Sequence, residues 1–113
     1  MKIYHNPRCR KSRETLALIE QAGVKPEIIE YLKTPPIEAE LDRILTMLGI
    51  QPQELMRKGE AEYKQLDLAK RKLTRQQAVK MMVENPKLIE RPIVVAGKRA
   101  VVGRPPENVN ELL

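Results

Sequence analysis

A small mixed α/β fold is predicted by three features of the chain. The N-terminus carries a short strand pattern followed by an amphipathic helix, a second strand comes too late in the chain for a hairpin, and an apolar hairpin lies near the C-terminus. The order is strand–helix–strand, then several helices, then strand–strand–helix. The two early strands are parallel and the two late ones antiparallel, which makes a four-stranded mixed sheet.

Lys2-Ile3-Tyr4-His5 reads as the first strand and stops at the loop dipeptide Asn6-Pro7. A helix opens at Ser12 or a neighbour and runs through Leu16, Ile19 and Ala22, with Gly23 placed for a left-handed cap. Residues 27–32 form the second strand. About twenty residues separate the two strands, the length of a helical crossover rather than a hairpin, so they are expected to pair in parallel.

Thr34-Pro35-Pro36 has the form of an N-cap with proline at the first helical position. Ile37, Leu41, Ile44, Leu45 and Leu48 then recur on one face, and Gly49 ends the helix. Pro52 leads a short helix carrying Leu55 and Met56. Thr74 and Gln77 have capping-box spacing for a helix that reaches about Glu84 and stops at Asn85-Pro86. The hairpin runs from Pro92 to Ala96 and from Arg99 to Val102 across Gly97-Lys98, a glycine-first pair suited to a type II′ turn. Gly103-Arg104-Pro105-Pro106 leads into a last short helix through Val109 and Leu112. With no repeat, linker or low-complexity stretch, residues 1–113 are expected to form a single domain.

Composition narrows the function. Lys and Arg number 21 against 15 Asp and Glu, a net charge of +6, and 42% of residues are hydrophobic, enough for a core. Phe and Trp are absent and Tyr numbers 3, so the core is aliphatic. The basic excess raises nucleic acid as a partner. Acidic residues alternate with basic ones from Glu27 to Asp42 and from Glu54 to Asp67, and the chain lacks an aromatic platform for stacking bases, so no nucleic-acid partner is expected. Lys70, Arg71, Lys72 and Arg75 read as a solvated face. No apolar run has the ~20 residues of a membrane span and no secretory leader precedes the first strand, which points to a cytoplasmic protein with no membrane partner.

The chain has 1 Cys and 1 His. That excludes an internal disulfide, a multi-cysteine metal site and a C-x-x-C dithiol, and no metal is expected. Cys9 sits in the turn from the first strand to the first helix, where ligands bind at the carboxyl ends of parallel strands. Helix N-terminal N–H groups favour an anion there. Arg8, Arg10, Lys11 and Arg13 deepen the potential, and the same field favours a thiolate. A C-x5-R phosphatase loop would need arginine at position 15, which is Thr15. What remains is a monothiol Cys9-Arg10-Lys11-Ser12 pattern, with any further oxyanion ligands supplied from distant parts of the chain.

Ile3-Tyr4-His5-Asn6-Pro7-Arg8-Cys9 with Ser12-Arg13, Tyr31-Leu32-Lys33-Thr34-Pro35-Pro36, Leu55-Met56-Arg57-Lys58, Asn85-Pro86, Glu90-Arg91-Pro92-Ile93-Val94-Val95 and Gly103-Arg104-Pro105 together resemble the glutaredoxin-coupled arsenate reductases. The resemblance spans essentially the whole chain. It implies a thioredoxin-like fold with a helical segment inserted between the second and third strands, and Pro92 as the cis-proline of such folds. It implies Cys9 as nucleophile, with Arg57, Arg91 and Arg104 holding arsenate and its intermediates. Arsenate would be reduced to arsenite through a covalent adduct on Cys9, with glutathione as co-substrate, glutaredoxin as partner and no tightly bound cofactor. Two alternatives share the fold: a redox-responsive regulator binding RNA polymerase, whose switch is usually the C-x-x-C pair that Ser12 interrupts, and a monothiol reductase acting on another oxyanion or a disulfide.

His5 is expected to shape the Cys9 loop by hydrogen bonding, and Ser12 to donate to the thiolate or to cap the helix. Met47, Met56, Met81 and Met82 are read as core filler.

Overall fold

Four strands make one sheet: β1 (Lys2–His5), β2 (Glu27–Glu30), β3 (Ile93–Ala96) and β4 (Arg99–Val102), in the order β2-β1-β3-β4. The structure is a computed structural model that describes residues 1–113. β1 runs parallel to β2 with Ile3 beside Ile28, and antiparallel to β3 with Ile3 beside Val94. The parallel pair needs a crossover, and helix α1 (Arg10–Gln21) supplies it. The sheet, α1 and a C-terminal 3-10 helix (Pro106–Leu112) belong to one unit, residues 1–34 and 91–113; residues 35–90 form a second.

In the first unit Ile3, Ile19, Val94 and Val109 are fully buried, with Leu16, Leu18, Val24, Val101 and Leu112 packed against them. Each such aliphatic side chain contributes about 1.5–3 kcal/mol relative to an exposed one. Gly23 closes α1 at φ +81, donating its N–H to Glu20 O (3.0 Å). Strand β2 stops at Glu30, two residues short of the expected end. The N–H groups of Lys33 and Thr34 both turn back onto Glu30 O, at 2.9 and 3.0 Å, and curl the chain out of the sheet. Gly97 has φ +60 while Lys98 does not have positive φ, as the type II′ turn requires. The Arg91–Pro92 and Arg104–Pro105 peptide bonds are cis. The first was implied by the family resemblance; the second was not anticipated.

In the second unit α2 (Glu38–Leu48) packs on α4 (Arg75–Glu84), burying Leu41, Ile44 and Leu45 on one helix and Ala78, Val79 and Met82 on the other. α2 begins at Glu38, with Ile37 rather than Thr34 at the N-cap, and Ile37 is 67% exposed instead of joining the apolar face. The consecutive prolines explain the delay, because each disfavours helical geometry in the residue before it. Thr34 belongs to the turn after β2, where its hydroxyl donates to Glu30 O (3.3 Å). The capping box at α4 forms: Gln77 N–H donates to Thr74 Oγ1 (3.2 Å) and Thr74 N–H to Gln77 Oε1 (3.0 Å). A short helix α3 (Ala61–Gln65) was not anticipated; it buries no residue and so carries no apolar period. Pro52–Leu55 and Pro86–Leu88 form 3-10 turns. Segments 55–57 and 88–90 run alongside each other, joined by Arg57 N–H to Leu88 O (2.7 Å) and Glu90 N–H to Leu55 O (2.8 Å). Of the four methionines expected as core filler, Met56 and Met82 are buried and Met47 and Met81 are only half-buried. No helix is long and apolar enough to cross a membrane.

Candidate active site

The side chain of Cys9 stands at the N-cap of α1 in extended backbone geometry and makes no capping hydrogen bond, so its sulfur is not spent on the helix end. Its backbone N–H donates to Asn6 O (3.0 Å), and its carbonyl accepts the first helical bond, from Arg13 N–H (3.0 Å). Asn6 Oδ1 accepts Arg8 N–H (3.0 Å) and Arg13 Nη1 donates to Pro7 O (3.0 Å), so the turn from residue 6 to residue 9 is held at both ends. The first-turn N–H groups of α1 have no intrahelical acceptor and are oriented for an anion.

Two groups support this turn from inside. His5 and Ser12 are both buried, and His5 Nδ1 lies 2.6 Å from Ser12 Oγ, which also accepts Asn6 N–H at 3.1 Å. Ser12 therefore neither caps α1 nor serves the thiol, contrary to both roles expected for it. His5 does shape the Cys9 loop by hydrogen bonding. Burial lowers the imidazole pKa below its ordinary value; the Glu30 charge opposes this, Arg13 reinforces it and Glu20 opposes it.

Arg104 follows β4 and reaches the cysteine from across the sheet: its Nη1 stands 3.9 Å from Cys9 Sγ and donates to Arg91 O at 3.4 Å. Cys9 and Arg104 are thus brought together in the first unit, where the backbone carbonyl of Arg91 also meets Arg104. Arg57 lies in the second unit, where its guanidinium is ion-paired with Glu60 and, at 3.6 Å, with Glu90. The cations flanking Cys9 are less available than their number suggests. Arg10 is paired with Glu14 (2.8 Å) and Arg13 is tied to the Pro7 carbonyl. All four are exposed.

Close packing fixes the entry of Arg104. A Cβ on Gly103 would lie 2.8 Å from Pro92 Cγ and would also meet the Thr15 side chain, while Gly103 N–H donates to Pro92 O (2.9 Å). Thr15, at the position where a C-x5-R loop has arginine, instead donates its hydroxyl to Lys11 O (2.8 Å) and abuts Gly103. Asn6, Thr15 and Gly103 carry no expected role in the site from sequence. For Gly103 a signal existed, since glycine at a strand end before Arg-Pro marks close backbone approach. No three His, Cys, Asp or Glu side chains are gathered into a metal-like group.

A buried cysteine at a helix N-terminus, faced by an arginine, on a four-stranded mixed sheet whose third strand is entered through a cis-proline, defines a thioredoxin-like thiol protein. The chain matches the ArsC family over residues 4–112 and belongs to it. It is 53% identical to the uncharacterized Escherichia coli (strain K12) protein YfgD, over 100% of this chain and 96% of that one. It is 46% identical to an arsenate reductase of Haemophilus influenzae, over 98% and 97%. Among solved structures, an arsenate reductase from Vibrio cholerae superposes with a TM-score of 0.95 at 50% identity, covering 99% of this chain and 96% of that one.

Proposed function

We propose that this protein reduces arsenate to arsenite, with Cys9 as nucleophile, Arg57, Arg91 and Arg104 as oxyanion ligands, and glutathione and glutaredoxin as the electron source. The observation that carries the reading is the 3.9 Å approach of Arg104 Nη1 to Cys9 Sγ at the start of α1. A cation and a helix N-terminus converge there on one sulfur, an arrangement suited to a thiolate and a tetrahedral oxyanion together.

In the first step the Cys9 thiolate attacks arsenic and an arsenate oxygen departs as water, leaving a thiolate–arsenate adduct with arsenic still pentavalent. The arginines balance the charge of the oxygens as the bond forms. Glutathione then attacks Sγ. The electron pair of the sulfur–arsenic bond goes to arsenic, arsenite leaves, and Cys9 is left as a mixed disulfide with glutathione. A glutaredoxin thiolate takes the glutathionyl sulfur and returns Cys9 to its starting state. An outside thiol is required because Ser12 occupies the place of a resolving cysteine and Cys9 is the sole cysteine. The reduced thiol pool that such a route draws on is that of the cytoplasm.

Arsenite formation, followed with purified protein, glutathione, glutaredoxin and a reductase system, tests the reading. Turnover should need all three thiols and vanish in Cys9→Ser. Turnover with thioredoxin alone, or undiminished in Cys9→Ser, would refute it.

A further inference from the structure

The side-chain amide of Asn108 makes two contacts that nothing in the mechanism uses. Its Nδ2 donates to Val102 O at 3.1 Å and to Arg104 O at 3.2 Å. A carboxamide nitrogen carries two hydrogens, and here each finds a backbone carbonyl; the flipped amide would set its oxygen against both carbonyls, so only one orientation fits. The two carbonyls bracket Gly103. Between them Arg104 N–H donates to Val102 O (2.9 Å) and Gly103 N–H to Pro92 O (2.9 Å). Asn108 itself sits on the C-terminal 3-10 helix, its N–H bonded to Pro105 O (3.0 Å), and that helix packs on both α1 and β4.

The backbone of Arg104 is therefore held from one side by Asn108, while its guanidinium reaches Cys9 Sγ and Arg91 O on the other. We infer that Asn108 is a positioning residue for Arg104: its carboxamide locks the Val102–Arg104 segment to the C-terminal 3-10 helix and so sets the guanidinium beside the Cys9 sulfur. Asn108 is half-buried and neutral, and because it holds the carbonyl of Arg104 itself, its effect on the sulfur is assigned to Arg104. The inference rests on Arg104 acting at Cys9, but it does not depend on arsenate being the substrate.

The test reads Cys9 directly. The alkylation rate of Cys9 by iodoacetamide at neutral pH is measured for the wild-type protein, Asn108→Ala, Asn108→Asp, Arg104→Ala and the double variant Asn108→Ala/Arg104→Ala, with circular dichroism confirming the fold of each. Asn108→Asp keeps the shape of the side chain and removes both donors, and Asn108→Ala stands in should the aspartate fail to fold. Arg104→Ala should change the rate on the order of tenfold, with Asn108→Ala changing it in the same direction by several-fold, as expected of coupled neighbours. In the Arg104→Ala background, Asn108→Ala should change it no further. An Asn108→Ala effect of equal size in both backgrounds, or no effect in either, would overturn the inference. Arsenite production measured on the same proteins separates the two readings: absence of turnover in the wild type with the alkylation pattern intact would remove the proposed reaction and leave the role of Asn108 standing.

Discussion

His5 Nδ1 and Ser12 Oγ lie 2.6 Å apart, both buried, and Ser12 Oγ accepts the N–H of Asn6, the residue whose carbonyl receives Cys9 N–H. In the neutral tautomer protonated at Nε2, the Ser12 hydroxyl donates to Nδ1 and accepts from Asn6 N–H. Protonation would turn Nδ1 into a donor, and the hydroxyl hydrogen would lose its acceptor.

The lowered His5 pKa makes this a stability statement. The folded protein binds the His5 proton less readily than the unfolded chain, whose imidazole titrates near 6.5. The stability associated with neutral His5 is thus fully present above that value, and is lost as pH falls from it toward the lower folded pKa. Melting temperature should drop as pH falls below neutrality, and the drop should shrink in His5→Gln. An equally steep drop in both proteins would assign it to other groups. At neutral pH, Ser12→Ala leaves Asn6 N–H and Nδ1 unsatisfied inside the protein and should cost about 1–3 kcal/mol in chemical denaturation.

Gly103 is predicted to tolerate no side chain. A methyl group there meets Pro92 Cγ at 2.8 Å and the Thr15 side chain as well. Overpacking of this kind costs about 1–3 kcal/mol. Because Arg104 is the next residue, Gly103→Ala should also lower turnover more than an equal loss of stability elsewhere. Thr74→Ala is the matched control: it breaks the α4 capping box, costs about 1 kcal/mol, and should leave Cys9 alkylation unchanged. Equal effects of the two variants on alkylation would remove the special place given to Gly103.

The arginines should differ among themselves. Arg104→Ala should lower kcat/KM by a factor corresponding to about 2.7–4 kcal/mol, the usual loss for a preorganised donor. Lysine at the same position should rescue only part of it, since a point charge replaces a planar fork. Arg57→Ala should cost less, because the Arg57 guanidinium is already charge-balanced by Glu60 and Glu90. Steady-state kinetics on the three variants decide the order, and a larger loss in Arg57→Ala than in Arg104→Ala would contradict it.

The parts of the fold legible in the sequence are those set by local chemistry. The Thr74/Gln77 capping box, the left-handed Gly49 at the end of α2 and the Gly97 turn each depend on a few adjacent residues, and each forms. The start of α2 lies later than its sequence signal because Thr34-Pro35-Pro36 satisfies the rule for a helix start and the rule against helix before proline at once, and the second prevails. Cys9 could be found from its place after β1 amid basic residues. What surrounds it could not: Arg104 is 95 positions away, and only the family resemblance pointed to it. The bonding of Ser12 is hidden from the sequence for a related reason. Its partner His5 lies on the strand before the turn, and neither periodicity nor capping rules describe a bond across a turn.

Intact mass of the protein during arsenate reduction, with glutathione present and glutaredoxin withheld, tests most directly the claim that one cysteine carries the reaction. The account predicts a single glutathione adduct that requires arsenate, maps to Cys9, is absent from Cys9→Ser and disappears when glutaredoxin is added. Arsenite released without such an adduct, or the same adduct formed in Cys9→Ser, would contradict it.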